Sequence, residues 1–176
     1  MRFRDRYRVP SARLPAWDYR WAGVYGVTIC VRDRRPWFGT VAGDHVHLSE
    51  AGQIVAREWG RIPLARPYIL LDEWIVMPDH MHGLLIFGNV PDAGDAREPS
   101  RLLANSLGAV VGQFKSKCTN HIWGRGHRDF AWQERFFDQI VWNEGMLNRL
   151  RLYIRQNPQR WTQKAAANNP LGIGGE

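Results

Sequence analysis

Two histidines one residue apart, His80 and His82, are the residues whose type and spacing most directly suggest chemistry. They lie in W-I-V-M-P-D-H-M-H-G-L-L-I-F, residues 74–87, where two apolar runs flank a Pro-Asp turn and predict two strands. Side chains two positions apart on a strand point to the same face, so both imidazoles can converge on one metal ion. The same spacing also fits two partly exposed strand histidines without a ligand, and spacing alone leaves both interpretations open.

A second pair with this spacing, His45 and His47, competes for the same role. It follows Gly43-Asp44 in a short polar segment, which predicts an edge position. His80 and His82 instead enter a long apolar strand that we expect to be central, where ligands are held more rigidly. This context favours the later pair as metal ligands.

Tyr153 is the candidate nucleophile. The segment from Glu144 to Gln156 predicts a helix with Asn143 as its N-cap, and Pro158 is expected to end it. Helical spacing places Tyr153 on one face with Arg149, Gln156 and Asn157. The alternative is a tyrosine at the margin of the core with its hydroxyl in water.

The elements that must position these residues follow from periodicity and turn signals. Strands are predicted at 21–31, at 44–48, at 68–77, at 80–87 and at 132–142, and helices from the Ser49 cap to Trp59, over 102–122 and over 144–156. Residues 88–100 read as a loop. We expect a basic N-terminal arm over 1–20, one α+β domain over 21–162 and a disordered tail over 163–176.

The charge of the chain indicates a polyanionic partner. The net charge is +7 and the pI is near 10.0, which favours nucleic acid over an acidic membrane surface. No apolar run is long enough for a membrane span, no secretory signal is visible, and two cysteines fit reduced thiols in a cytoplasmic protein. The candidate DNA contacts are Arg32, Arg34, Arg35, Lys115, Lys117, Arg125, Arg128, Arg149 and Gln156. For the two lysines, a solvated charged face is the alternative.

Four motifs in order make the chain recognisable. They are V-M-P-D-H-M-H-G-L-L-I, G-Q-F-K-S-K-C-T, W-Q-E-R-F-F-D and L-Y-I-R-Q-N-P, and V-T-I-C-V-R-D-R-R at 27–35 precedes them. Together they resemble the single-tyrosine HUH transposases of the IS200-like type, in particular the REP-associated tyrosine transposase branch. The resemblance covers roughly residues 20–162.

The resemblance implies a fold and a site. The fold is a ferredoxin-like, RRM-like α/β sandwich, with helices on one face of a central antiparallel sheet that carries the histidine pair, and with the tyrosine on a C-terminal helix. His80, His82 and Asn157 match the ligands of a divalent metal, Mg²⁺ or Mn²⁺, and Tyr153 matches the nucleophile. One departure is Asp79, which stands where the family often has asparagine before the first histidine.

The activity implied is cleavage and rejoining of single-stranded or hairpin DNA through a covalent 5′-phosphotyrosine, without a nucleotide cofactor. The chemistry is reasonable in itself, because a tyrosine with a free pKa of about 10 needs a cation to polarise the phosphate. Two alternatives remain: a metal-dependent nuclease that uses water, and a nucleic-acid-binding module that does not cleave. The sequence does not decide between a monomer and a homodimer.

Overall fold

The computed structural model describes residues 22–88 and 106–168, so the arm over 1–20 and most of the 88–100 loop lie outside the described residues. In chain order the elements are β1 (Gly23–Cys30), β2 (Gly39–Ala42), β3 (His45–Leu48), α1 (Glu50–Gly60), α2 (Ile62–Ala65), β4 (Ile69–Met77), β5 (His80–Phe87), α3 (Leu107–Gly124), β6 (Phe137–Val141), α4 (Glu144–Arg155) and α5 (Asn157–Asn168).

The central sheet has four antiparallel strands in the order β4–β5–β1–β6. With α1 between β1 and β4, and α3 between β5 and β6, this is the βαββαβ arrangement of ferredoxin-like folds. The predicted fold class is therefore confirmed. Strand β5 is central, as its apolar run predicted, and its histidines pair with Cys30 and Thr28 of β1.

One face of the sheet forms the hydrophobic core under α1 and α3. Alternate residues of β1 (Tyr25, Val27, Ile29) and of β5 (Met81, Leu85, Phe87) are buried there. Trp59 of α1 is fully buried and packs edge-on against Phe114 of α3. The Trp59 ring lies directly on Gly83, where an added Cβ would be 2.3 Å from the ring. A glycine is therefore required between His82 and Leu84.

Helix α4 covers the opposite face of the sheet. Leu150 of α4 packs over Gly26 of β1, since a Cβ built at Gly26 would lie 3.6 Å from the Leu150 side chain. The implied arrangement with helices on one face is thus wrong for this chain. The face of the sheet that carries the histidines also has apolar surface, and the partly buried side of α4 packs on it.

A bulge in β4 anchors α4. Pairing with β5 shifts by one residue between Leu71 and Trp74, so that Asp72 and Glu73 form the irregularity. Successive strand residues normally point to opposite faces, and a bulge re-aims one of them. Both carboxylates can therefore meet α4, where Arg151 binds Asp72 through Nε and Nη2 and Arg155 binds Glu73.

Three predicted elements differ from the structure. The strand at 44–48 is β3 of a separate two-stranded sheet, and its partner β2 was not predicted. The strand at 132–142 is shorter, because only residues 137–141 pair along β1, whereas Trp132 makes an isolated bridge to Val31. The predicted helix 102–122 begins at Leu107 and ends at Gly124 within the described part of the chain.

The C-terminal prediction needs the largest correction. Helix α4 ends at Arg155, but a further helix, α5, begins at Asn157, so residues expected to be a disordered tail from 163 are helical as far as Asn168. Pro158 is the second residue of α5, a position where proline is tolerated because the first-turn amides need no intrahelical acceptor. Residues 169–176 lie outside the described residues. None of the described helices is both long and apolar enough to cross a bilayer.

Candidate metal and tyrosine site

The histidine pair converges on one point. His80 and His82 are both buried, and their Nε2 atoms lie 3.1 Å apart. The even-numbered positions of β5 carry them to the α4 face, while Met81 between them is fully buried on the core side. The predicted common orientation of the two imidazoles is therefore observed.

The other nitrogen of each ring has its own partner. His80 Nδ1 lies 2.5 Å from Oδ1 of Asp79, and His82 Nδ1 lies 2.8 Å from Oγ1 of Thr28. An ionised carboxylate only accepts hydrogen bonds, so it places the proton of a neutral His80 on Nδ1. This leaves the Nε2 lone pair of His80 directed toward His82. Such a partner on the far nitrogen is characteristic of histidines that bind metal.

The surroundings of His82 keep its imidazole neutral. Burial, followed by the charge of His80, lowers the pKa of His82 to about 3. The ring is therefore neutral at physiological pH, as a metal ligand must be. Ligands about 2.1 Å from an octahedral ion and adjacent to one another lie about 3.0 Å apart, so the 3.1 Å separation of the two Nε2 atoms fits a divalent cation.

Tyr153 lies against this pair. Its ring contacts the ring of His82 with centroids 5.3 Å apart. The tyrosine is partly exposed, and the guanidinium of Arg160 lies over its ring at 5.0 Å from the centroid. Trp161, the next residue of α5, stacks on His80 with centroids 6.0 Å apart. Helix α5, which the sequence did not predict, therefore covers the site.

Asn157 is buried and lines the same cleft, but it does not belong to the helix of Tyr153. The prediction of a shared helix is wrong, because α4 ends before Gln156 and Asn157 begins α5. The turn nevertheless keeps them together, since Asn157 Nδ2 donates to the carbonyl of Tyr153 at 3.4 Å. That bond uses the NH₂ group and leaves Oδ1 as the atom that can bind a metal.

The cleft itself is open and has a volume of about 1230 Å³. Arg160 and Lys164 line it as cations, Arg34 lines it paired with the adjacent Asp79, and no aspartate or glutamate is among its described lining residues. A cleft of this size exceeds most small-molecule pockets, and its charge suits a phosphate backbone. Two imidazoles and one amide are its candidate ligands. Across the described residues, no group of three or more His, Cys, Asp or Glu side chains forms a metal site.

The predicted DNA contacts lie in different places: some line the cleft, some form ion pairs and others are exposed elsewhere. Arg34 and Gln156 line the cleft. Several of the others already have partners: Arg35 pairs with Asp129, and Arg125 pairs with Glu50. Arg32, Arg128 and Arg149 are exposed outside the cleft lining, as is Lys117 on the α3 face of the sheet.

Lys115 was predicted to contact phosphate, but in the structure its ammonium group is already bound to backbone carbonyls. Its Nζ donates to the carbonyls of Gln133 and Glu134, at 2.6 and 3.1 Å, and burial lowers the pKa of Lys115. The side chain therefore fastens the segment before β6 to α3.

Sequence reasoning missed Thr28, Arg160 and Trp161 as residues of the site. Thr28 could have been predicted from the alternation of β1. Its neighbours Val27 and Ile29 face the core, so Thr28 must point to the opposite face, which is the face of the histidines. Arg160 and Trp161 follow Pro158, which in the sequence predicts only the end of a helix. A proline two residues after a helix end is equally compatible with the first turn of a new helix.

Comparisons with known proteins bear on the fold. No family model matches the sequence. A Haemophilus influenzae protein of uncharacterised function is 29% identical over 163 residues, which cover 87% of this chain and 89% of the relative. A solved REP-associated tyrosine transposase, bound to a REP hairpin, has 21% identity and a TM-score of 0.53 over 85% of this chain and 73% of its own. The chain thus shares its fold with a REP-associated tyrosine transposase, as the sequence resemblance implied.

Proposed function

We propose that this chain is a metal-dependent, single-tyrosine transposase that cleaves and rejoins single-stranded DNA, with hairpin-forming repeats as its substrate. The observation that carries the proposal is the packing of Tyr153 against His82, whose Nε2 faces that of His80 in a basic cleft. A hydroxyl nucleophile, two imidazoles and cationic side chains in one open cleft suit attack on a phosphodiester.

His80, His82 and the amide oxygen of Asn157 are the proposed ligands of Mg²⁺ or Mn²⁺. When bound, the cation polarises the scissile phosphate and offsets the charge that develops on its oxygens. The residues present fit this role, because both imidazoles are oriented by partners on Nδ1 and Asn157 is buried and lines the same cleft. Ligand softness alone also permits zinc.

Tyr153 is the proposed nucleophile. Its oxygen forms a bond to phosphorus while the bond from phosphorus to the 3′ oxygen breaks. The departing strand takes up a proton as a free 3′-hydroxyl, and the 5′ phosphate stays on the tyrosine. Attack by another 3′-hydroxyl reverses these events and rejoins DNA without a nucleotide cofactor. The polarity of the linkage is carried over from the family resemblance.

Arg160 and the side chain of Asn157 hold the nucleophile in place. The guanidinium over the Tyr153 ring restrains the ring and brings a fixed positive charge next to the reacting phosphate. Asn157 Nδ2 bonds the carbonyl of Tyr153, so one residue links the proposed metal position to the end of α4.

The test is a covalent-complex assay. Labelled single-stranded repeat DNA, incubated with protein and Mg²⁺, is expected to give a protein–DNA adduct stable in denaturing gels, with the nucleotide mapped to Tyr153. Tyr153→Phe removes one oxygen and should lose adduct and cleavage while it keeps DNA binding. Cleavage without an adduct would favour the water-using nuclease, and binding without cleavage would favour the non-catalytic module.

A further inference from the structure

Arg34 is directed toward the metal site by an unusual backbone. It lies in the connection that follows β1, where Asp33 and Arg34 both have φ of 56°. This left-handed region is uncommon for residues with a Cβ, and consecutive examples require support from the surrounding structure. Strain of this kind often marks a functional position.

The support comes from the turn that precedes the first histidine. On one side of the connection the amide of Val31 donates to the carbonyl of Asp79, and on the other side the amide of Phe38 donates to the carbonyl of Pro78, each at 2.9 Å. The connection is therefore fastened to the Pro78-Asp79 turn at both ends. Arg34 is held between these two points.

The side chain of Arg34 completes a chain of polar contacts to the histidine pair. Its Nε lies 2.9 Å from Oδ2 of Asp79, and its Nη1 donates to Cys30 Sγ at 2.8 Å. Asp79 is buried, and its other oxygen, Oδ1, contacts His80 Nδ1. A buried carboxylate is costly unless it is paired, and here each of its oxygens has a partner.

We propose that Arg34 is a positioning residue for His80, acting through Asp79, and not a contact to DNA phosphate. Arg34 fixes Oδ2 of Asp79, and Oδ1 then fixes the tautomer and orientation of the His80 ring. The ion pair also has no net charge, so it replaces the neutral asparagine that the resemblance places before the first histidine. The proposal rests on the proposed function only in taking His80 as a ligand of the metal.

Metal affinity, measured in the absence of DNA, tests whether Arg34 acts on the metal site through Asp79. Mn²⁺ binding is measured by the loss of the free-ion electron paramagnetic resonance signal for the full chain and its variants. Asp79→Asn keeps an oxygen that can accept from His80 Nδ1 but leaves the Arg34 cation unpaired beside the site, so Mn²⁺ binding should weaken by about 10–100-fold. Adding Arg34→Gln to that variant removes the unpaired charge and should recover most of the loss.

A second measurement uses a variant that keeps the buried aspartate. The Nδ1–H proton of His80, bonded to a carboxylate, is expected far downfield in the proton NMR spectrum. Arg34→Gln should shift it, whereas Arg35→Gln should not, because Arg35 pairs with Asp129. The salt dependence of DNA binding should be unchanged by Arg34→Gln.

Each result decides the matter. In the Mn²⁺ measurements, the proposal is overturned if Asp79→Asn has no effect on binding, or if the double variant binds as weakly as Asp79→Asn alone. In the NMR measurement, it is overturned if the His80 proton does not shift in Arg34→Gln. It is also overturned if Arg34→Gln lowers the salt slope of DNA binding by about one, as a lost phosphate contact would. None of these measurements depends on cleavage, so failure of the strand-transfer mechanism is distinguishable from failure of this inference.

Discussion

The ring of Tyr153 meets the ring of His82 edge to face, at 5.3 Å between centroids and 75° between planes. The two residues lie on different elements, α4 and β5, so this contact exists only when α4 is seated on the sheet. The position of the proposed nucleophile therefore depends on how α4 is anchored. Side chains far from the chemistry can change the reaction through that anchor.

The first prediction separates the two histidine pairs. His80→Ala should abolish Mn²⁺ binding and DNA cleavage, because it removes one of the two converging Nε2 atoms, and the protein should stay folded. His45→Ala should retain both, because His45 is highly exposed on the β2–β3 hairpin. Metal titration and a cleavage assay of both variants make the comparison. Loss of activity in His45→Ala alone would reverse the assignment.

Arg160 provides the second prediction. Arg160→Gln keeps a polar side chain but removes the cation over Tyr153, so single-turnover cleavage should slow by about 10–100-fold, while the adduct still maps to Tyr153. Mn²⁺ affinity should be little changed, because Arg160 is not a proposed ligand. Equal cleavage rates in Arg160→Gln and the parent protein would remove Arg160 from the mechanism.

The third prediction concerns the anchor of α4 and its pH dependence. The hydrogen bonds from Arg151 lower the pKa of Asp72, so the pair stabilises the fold above the unfolded-state pKa of about 3.9, and that stability is lost as pH falls through the lower folded-state pKa. Asp72→Asn should cost about 1 kcal/mol at pH 7 and cleave DNA more slowly. Urea denaturation at pH 7 and near pH 3 measures this.

The matching control lies one residue further along the bulge. Glu73→Gln disturbs the more exposed pair with Arg155 and should have a smaller effect on stability. A stability difference between Asp72→Asn and the parent that stays the same at acidic pH would contradict the role given to the Asp72–Arg151 pair.

Gly83→Ala is the fourth prediction. The added Cβ would lie 2.3 Å from Cζ2 of the fully buried Trp59, so strand and helix must separate, at a cost of about 1–3 kcal/mol or more. Gly112→Ala is the control, because nothing lies within 4 Å of a Cβ built at Gly112. Chemical denaturation of both variants is the measurement, and an equal effect of the two substitutions would contradict the packing described here.

The fifth prediction concerns charge. Deletion of residues 2–15 removes five arginines and should reduce the salt dependence of DNA binding, since each phosphate contact releases counterions. Lys115→Met should leave the salt slope unchanged but lower stability, because Nζ is used on two backbone carbonyls. Binding titrations at several salt concentrations distinguish these outcomes. An unchanged slope in the deletion variant would remove the arm from the DNA interface.

The sequence was informative where a strong local pattern and burial agree. The long apolar run after Pro78-Asp79 correctly predicted a central strand with His80 and His82 on one face, and the Ser49 and Asn143 caps correctly predicted where α1 and α4 begin. These features depend on neighbours in the chain, so periodicity and capping chemistry are sufficient to find them.

The features that the sequence did not reveal depend on distant partners. Strand β2 reads only G-T-V-A and is defined by its pairing with β3. The contact of Arg34 with Asp79 requires two consecutive left-handed residues, which no periodicity predicts. Helix α5 was missed because Pro158 ends one helix and also occupies the first turn of the next, and only packing against His80 and Tyr153 shows which meaning applies.

Because the side chains of β5 alternate between the core and the cleft, the site depends on the number of residues in this strand. Odd-numbered residues of this strand face the core and even-numbered residues face the cleft, so a single inserted or deleted residue inside β5 would exchange the two sets. Both imidazoles would then be buried against Trp59, and apolar side chains would line the cleft. Substitutions in this strand can be tested one at a time, but a change in its residue count between the Pro78-Asp79 turn and Phe87 alters which side chains face the cleft.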